Sequence, residues 1–194
     1  MVLIQMKLCF EIHYFDESAY NFDVSFPKDS SFIILDENST ENDISLLVGS
    51  LLSFNDLCLN DEFIEALLKN DELALVGGIA FKQNETIIYP SCCADIQDWR
   101  EVIEGVKKGE TSWLGHDPSP WFEFQEDQIT LWSDEVGSKD LHVIRYTKKE
   151  FECLSHELTI SIERLLPIIE GWVASNYLEA PEKLYSGLKQ YLLI

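Results

Sequence analysis

From Val2 to Tyr14 the chain alternates with a period of two. Val2, Ile4, Met6, Leu8, Phe10, Ile12 and Tyr14 fall on one side, and Gln5, Lys7, Glu11 and His13 on the other. Successive side chains of an extended strand point to opposite faces, so this run buries its apolar set only as a strand with one face on a core. Such a strand needs partners. Phe22, Val24 and Phe26 alternate again before Pro27, and Phe32-Ile33-Ile34-Leu35 is a shorter apolar run. The three segments read as an antiparallel meander.

Beyond residue 40 the period changes. Thr40-Glu41-Asn42-Asp43 has the form of a capping box, and Ile44, Leu47, Val48, Leu51 and Leu52 follow at helical spacing, which predicts a helix over 41–53. Phe63, Ile64, Leu67 and Leu68 predict a second, ending near Asn70. Leu73 to Phe81 and Thr86 to Tyr89 flank Gln83-Asn84-Glu85 as a hairpin, with Gly77-Gly78 as a bulge or turn. Ile96, Trp99, Val102, Ile103 and Val106 mark a helix closing at Lys107-Lys108-Gly109. A second hairpin surrounds Glu126-Asp127, and Leu141 to Tyr146 adds a strand. Phe151, Leu154, Leu158, Ile162, Leu165, Leu166 and Ile169 trace one face of a long C-terminal helix in which Pro167 predicts a kink, and a short helix follows from Pro181. With no repeat or linker between these parts, the expected fold over 1–194 is a single α+β domain. Its antiparallel sheet comes from the N-terminal meander and the later hairpins, packed with helices.

The chain carries 35 acidic against 14 basic groups, a net charge of -21 at pH 7. A field of that sign opposes docking on a phosphate backbone or an anionic membrane, which argues against nucleic acid and membrane as partners. It favours a cationic protein. From Asp16 to Glu65 the acidic residues are opposed only by Lys28, and the candidate partner-binding set is Asp16, Glu17, Asp23, Asp29, Asp36, Glu37, Glu41 and Asp43. A solvated face kept anionic for solubility is the alternative account. Five cysteines, Cys9, Cys58, Cys92, Cys93 and Cys153, make no even framework, and no window approaches the ~20 apolar residues of a spanning helix. A reducing compartment, the cytoplasm, is expected.

Cys92-Cys93 precedes a helix, where a dipole favours a thiolate. Adjacent cysteines are not a zinc spacing, so buried structural cysteines are the expected reading and no metal set or cofactor is assigned. Gly115-His116-Asp117-Pro118-Ser119-Pro120-Trp121 joins an imidazole, a carboxylate and a hydroxyl in a segment that two prolines hold extended. A histidine and an aspartate one apart diverge on most backbones, which makes a structural loop the expectation and catalysis by His116 and Asp117 the rival.

The stretches Ile87 to Glu101 (IIYPSCCADIQDWRE) and Trp113 to Phe124 (WLGHDPSPWFEF) resemble segments of bacterial immunity proteins of polymorphic or contact-dependent toxins, distantly of the SUKH type. The resemblance covers the middle third of the chain. It implies a non-enzymatic protein that neutralises a toxin by occluding its active surface, and a basic toxin domain suits an acidic inhibitor. The expected function is therefore acidic binding of a cationic partner, with a cognate toxin domain as the partner that the resemblance implies. The rivals are a small metal- or thiol-dependent enzyme using Cys92, Cys93, His116 and Asp117, and a subunit of a homo-oligomer.

Overall fold

The computed structural model describes residues 4–16, 20, 22–69 and 73–192. In chain order these form β1 (Ile4–Glu11), β2 (Phe32–Leu35), α1 (Glu41–Phe54), α2 (Asp61–Lys69), β3 (Gly77–Gln83), β4 (Thr86–Ile88), a 3-10 turn (Ile96–Asp98), α3 (Trp99–Lys108), β5 (Trp121–Gln125), β6 (Gln128–Trp132), β7 (Val143–Thr147), α4 (Lys148–Asn176) and α5 (Pro181–Tyr191). The fold is α+β. One sheet has the order β2-β1-β3-β4 and the other β5-β6-β7. The chain groups into two compact units interleaved in sequence, the first Met1–Cys9 with Val76–Ile160 and the second Phe10–Leu75 with Ser161–Ile194.

In the first unit β3 and β4 form a hairpin that pairs Phe81 with Ile88. β5 and β6 pair Phe122 with Leu131, and β6 and β7 pair Ile129 with Tyr146. The alternation of these strands sends Phe81, Phe122 and Tyr146 inward, where Phe151 from α4 joins them. Ring centroids lie 5.7 Å apart for Phe81 and Phe122 and 5.9 Å for Tyr146 and Phe151, both edge-to-face, the arrangement that the aromatic quadrupole favours. α3 buries Trp99, Val102, Ile103 and Val106 at helical spacing. Asp95 caps the 3-10 turn before it, and Gly109 ends it in the left-handed conformation that residues with a Cβ avoid.

In the second unit α1 starts with the expected reciprocal cap between Thr40 and Asp43. Its buried face reaches α4, where the indole N–H of Trp172, a fully buried residue, donates to Ser45 Oγ at 2.7 Å. α4 accommodates Pro167 in its interior, leaving the Glu163 carbonyl without its usual N–H partner. The start of α4 at Lys148, which belongs to the first unit, rests on a second reciprocal cap, Thr147 with Glu150, at 2.7 Å and 3.1 Å.

The meander differs from the sequence expectation. Phe22 and Val24 are buried as the alternation implies, yet 22–28 form no strand. The Asn42 side chain takes the place of a neighbouring strand, accepting from the Ser25 N–H at 2.7 Å and donating to the Ser25 carbonyl at 3.1 Å. β1 ends at Glu11 because the His13 N–H turns to Ser50 Oγ on α1 at 3.1 Å.

Two substitutions separate a satisfied from an unsatisfied buried polar group. Ser45→Ala strands the Trp172 N–H and lowers unfolding free energy by about 1–3 kcal/mol. Among the described residues the buried Tyr146 hydroxyl has no hydrogen-bond partner, and burial raises its pKa. Tyr146→Phe is therefore neutral or stabilising, by up to about 1 kcal/mol. Urea unfolding of both variants checks the pair; equal losses would contradict it.

Candidate functional site

The acidic excess is uneven. The second unit holds 19 of the 35 acidic residues but only five of the 14 basic ones, Lys28, Lys69, Arg164, Lys183 and Lys189. Lys69 is already paired with Glu65 at 3.0 Å. Of the residues singled out from sequence, Asp16, Asp23, Asp29, Glu37 and Glu41 are exposed, Asp43 is half-buried, Asp36 is buried, and Glu17 lies outside the described residues. Three of them have local tasks. Asp36 accepts from the Asn38 N–H at 2.8 Å, Asp43 caps α1, and Glu37 accepts from Ser161 Oγ on α4 at 2.6 Å.

Those tasks also bring part of the set together. The link between Ser25 and Asn42 ties the loop carrying Asp23 and Asp29 to the first turn of α1, which carries Glu41 and Asp43 and follows Glu37. Negative groups there are favoured by the positive end of the helix dipole. The segment leading to Asp16 is anchored on the far end of α1 through Ser50 and Ser53, and its Tyr14 and Phe15 rings pack on Phe26, with centroids 5.1 Å and 5.3 Å apart, in the loop that carries Asp23 and Asp29.

The first unit holds the thiol and imidazole groups. Two backbone contacts join the loop before the 3-10 turn to the loop before β5: Ser91 N–H donates to the Leu114 carbonyl at 2.9 Å, and His116 N–H to the Cys92 carbonyl at 3.2 Å. His116 Nδ1 then lies 3.7 Å from Cys92 Sγ, and the Cys92 thiol also donates to the His116 carbonyl. Neighbouring side chains of an extended chain diverge. Cys93 breaks that rule, because its φ of 69° places it in the left-handed region, where a non-glycine residue costs about 1–2 kcal/mol. The reversal gathers Cys92, Cys93 and His116 so that one ligand atom from each lies within 4.8 Å of the others, all three residues being exposed. The expectation of buried cysteines fails for this pair.

The rest of the loop is held from two sides. Ser91 Oγ donates to the Pro118 carbonyl, and the Asp117–Pro118 peptide is cis. Asp134 accepts from the Ser119 N–H at 3.1 Å and from Ser138 Oγ at 2.8 Å, and its carbonyl receives the Trp121 indole N–H at 3.2 Å. These donors, the Ser119 N–H first, hold the Asp134 carboxyl below the usual range. The Trp113 ring lies beside His116, centroids 5.7 Å apart, and is 58% exposed. The described contacts of His116 are thus to Cys92 and Trp113.

Chemically, two sulfurs and an imidazole suit a soft or borderline metal ion or thiol redox chemistry. They suit a nucleophile less well. The Cys92 thiol is raised above its ordinary range by lost hydration around the sulfur and by the nearby Cys93 and Asp117, while a hydrogen bond with the His116 backbone pulls the other way. A raised thiol stays protonated at neutral pH, and the thiolate is the reactive form. Sequence spacing missed the cluster because 24 residues separate Cys92 from His116 and the closing contacts are backbone ones. The fold carries no helix among the described residues that is long and apolar enough to cross a membrane. Comparison with known proteins gave no match to a family model, a curated protein or a solved structure.

Iodoacetamide labelling followed by peptide mass spectrometry tests the state of Cys92. At about pH 7 it is expected to label more slowly in the folded chain than in urea, with the rate rising as pH climbs through the raised thiol range. Faster labelling in the folded chain would show an activated thiolate instead.

Proposed function

We propose that this chain is a non-enzymatic acidic binding protein of the cytoplasm, an immunity-type inhibitor that occludes the active surface of a cationic toxin domain. One observation carries the reading: the second unit concentrates 19 acidic residues against five basic ones. Within it Asp23, Asp29, Glu37, Glu41 and Asp43 gather about the start of α1. Such a field steers a basic partner into encounter and repels phosphate-bearing ones. Of the eight residues read from sequence, Asp36 is buried and committed to its own turn. The cytoplasmic assignment is supported by five free cysteines.

The reading as a metal- or thiol-dependent enzyme is favoured by the cluster of Cys92, Cys93 and His116. The raised Cys92 thiol weighs against a nucleophilic role, which leaves a metal-dependent activity as the form of this rival that the cluster supports.

The purified chain is expected to bind the basic product of the reading frame encoded beside it. Affinity should fall tenfold or more between about 50 and about 300 mM salt. Asp23→Lys with Asp29→Lys, both at exposed positions outside the helices, should slow association while leaving stability within about 0.5 kcal/mol. Titration calorimetry and stopped-flow association measure the two effects. No complex at low salt would sink the proposal.

A further inference from the structure

We infer that Cys92, Cys93 and His116 form a solvent-open binding site for one Zn2+-class ion, with two thiolates and one imidazole as protein ligands and water in the fourth position. The site lies wholly in the first unit and does not depend on the acidic-partner reading.

The donor set and its dimensions carry the inference. Zinc bonds of about 2.3 Å to sulfur and about 2.0–2.1 Å to nitrogen, at a tetrahedral angle, place S and N ligands roughly 3.6 Å apart and two sulfurs roughly 3.8 Å apart. Cys92 Sγ and His116 Nδ1 stand 3.7 Å apart, already at that edge length. Cys93 Sγ completes a triangle whose ligand atoms all lie within 4.8 Å, on side chains that are all exposed. Chain spacing argued against a site because adjacent cysteines usually diverge, and the left-handed Cys93 removes that objection. Two thiolates balance the charge of a divalent ion, and the neighbouring Asp117 adds a negative field. Exposure of all three residues leaves the fourth position to solvent, the open coordination that structural zinc sites lack.

Binding balances without any redox partner. Two S–H bonds break and their protons go to solvent, two metal–sulfur bonds and one metal–nitrogen bond form, and the metal keeps its oxidation state. Affinity therefore falls with pH, by up to about 100-fold per unit where both thiols are protonated.

The test uses the full, reduced, metal-stripped chain titrated with Co2+ and then Zn2+. Co2+ is expected to give thiolate charge-transfer bands and tetrahedral visible bands that saturate at one ion per chain. It should also quench Trp113, which Zn2+ then restores by displacement. Cys92→Ser, Cys93→Ser and His116→Ala should each weaken binding at least tenfold, with circular dichroism confirming an intact fold. A background lacking the other exposed cysteines, Cys58→Ser with Cys153→Ser, should bind unchanged. Trp113→Phe should keep the Co2+ bands and lose the quenching. Absence of thiolate bands would overturn the assignment, because ions held by surface carboxylates give none. So would bands that survive the double Cys92→Ser, Cys93→Ser change.

Discussion

A Cβ at position 115 would lie 2.5 Å from the Ser91 carbonyl oxygen and 2.6 Å from that of Cys92, and Gly115 has a φ of 94° that side chains rarely adopt. The absence of that atom lets two loops meet backbone to backbone, Ser91 on Leu114 and His116 on Cys92. Each such bond contributes only about 0.5–1.5 kcal/mol. The meeting point is nevertheless reinforced, by Ser91 on Pro118 and by the Asp134 carboxylate on Ser119. A contact that is modest in energy but narrow in geometry thus decides which side chains share the site.

The two units divide the chemistry. One carries most of the acidic excess and uses part of it locally: Asp43 as a cap, Asp36 in a turn, Glu37 as an acceptor for Ser161. These carboxylates stabilise α1 and its surroundings whether or not a partner binds, so part of the charge serves folding. The other unit carries the thiols and the imidazole at its surface, and its core holds edge-to-face aromatic rings from β3, β5, β7 and α4.

Local periodicity made most elements legible. α1, α2 and α3 follow apolar spacing and end signals in their own sequences, and both later hairpins follow alternation around polar turns. Where a distant residue took over a backbone group, the sequence misled. Phe22 to Phe26 alternates like a strand, but its hydrogen bonds go to Asn42, and β1 stops early because His13 bonds to Ser50. The Trp172 partner, Ser45, is 127 residues away and has no signature in either segment. The candidate site was half legible. Cys92, Cys93 and His116 stood out by type, while their juxtaposition depends on a left-handed Cys93 and a bare Gly115, neither of which composition or period encodes.

Amide hydrogen exchange at Ser91 and His116, in the native chain and in Gly115→Ala, tests this dependence most directly. Both amides should be protected in the native chain and should lose protection in the variant, while the β5–β6 ladder stays unchanged. Retained protection at both positions in Gly115→Ala would contradict the claim that a missing side chain builds the site.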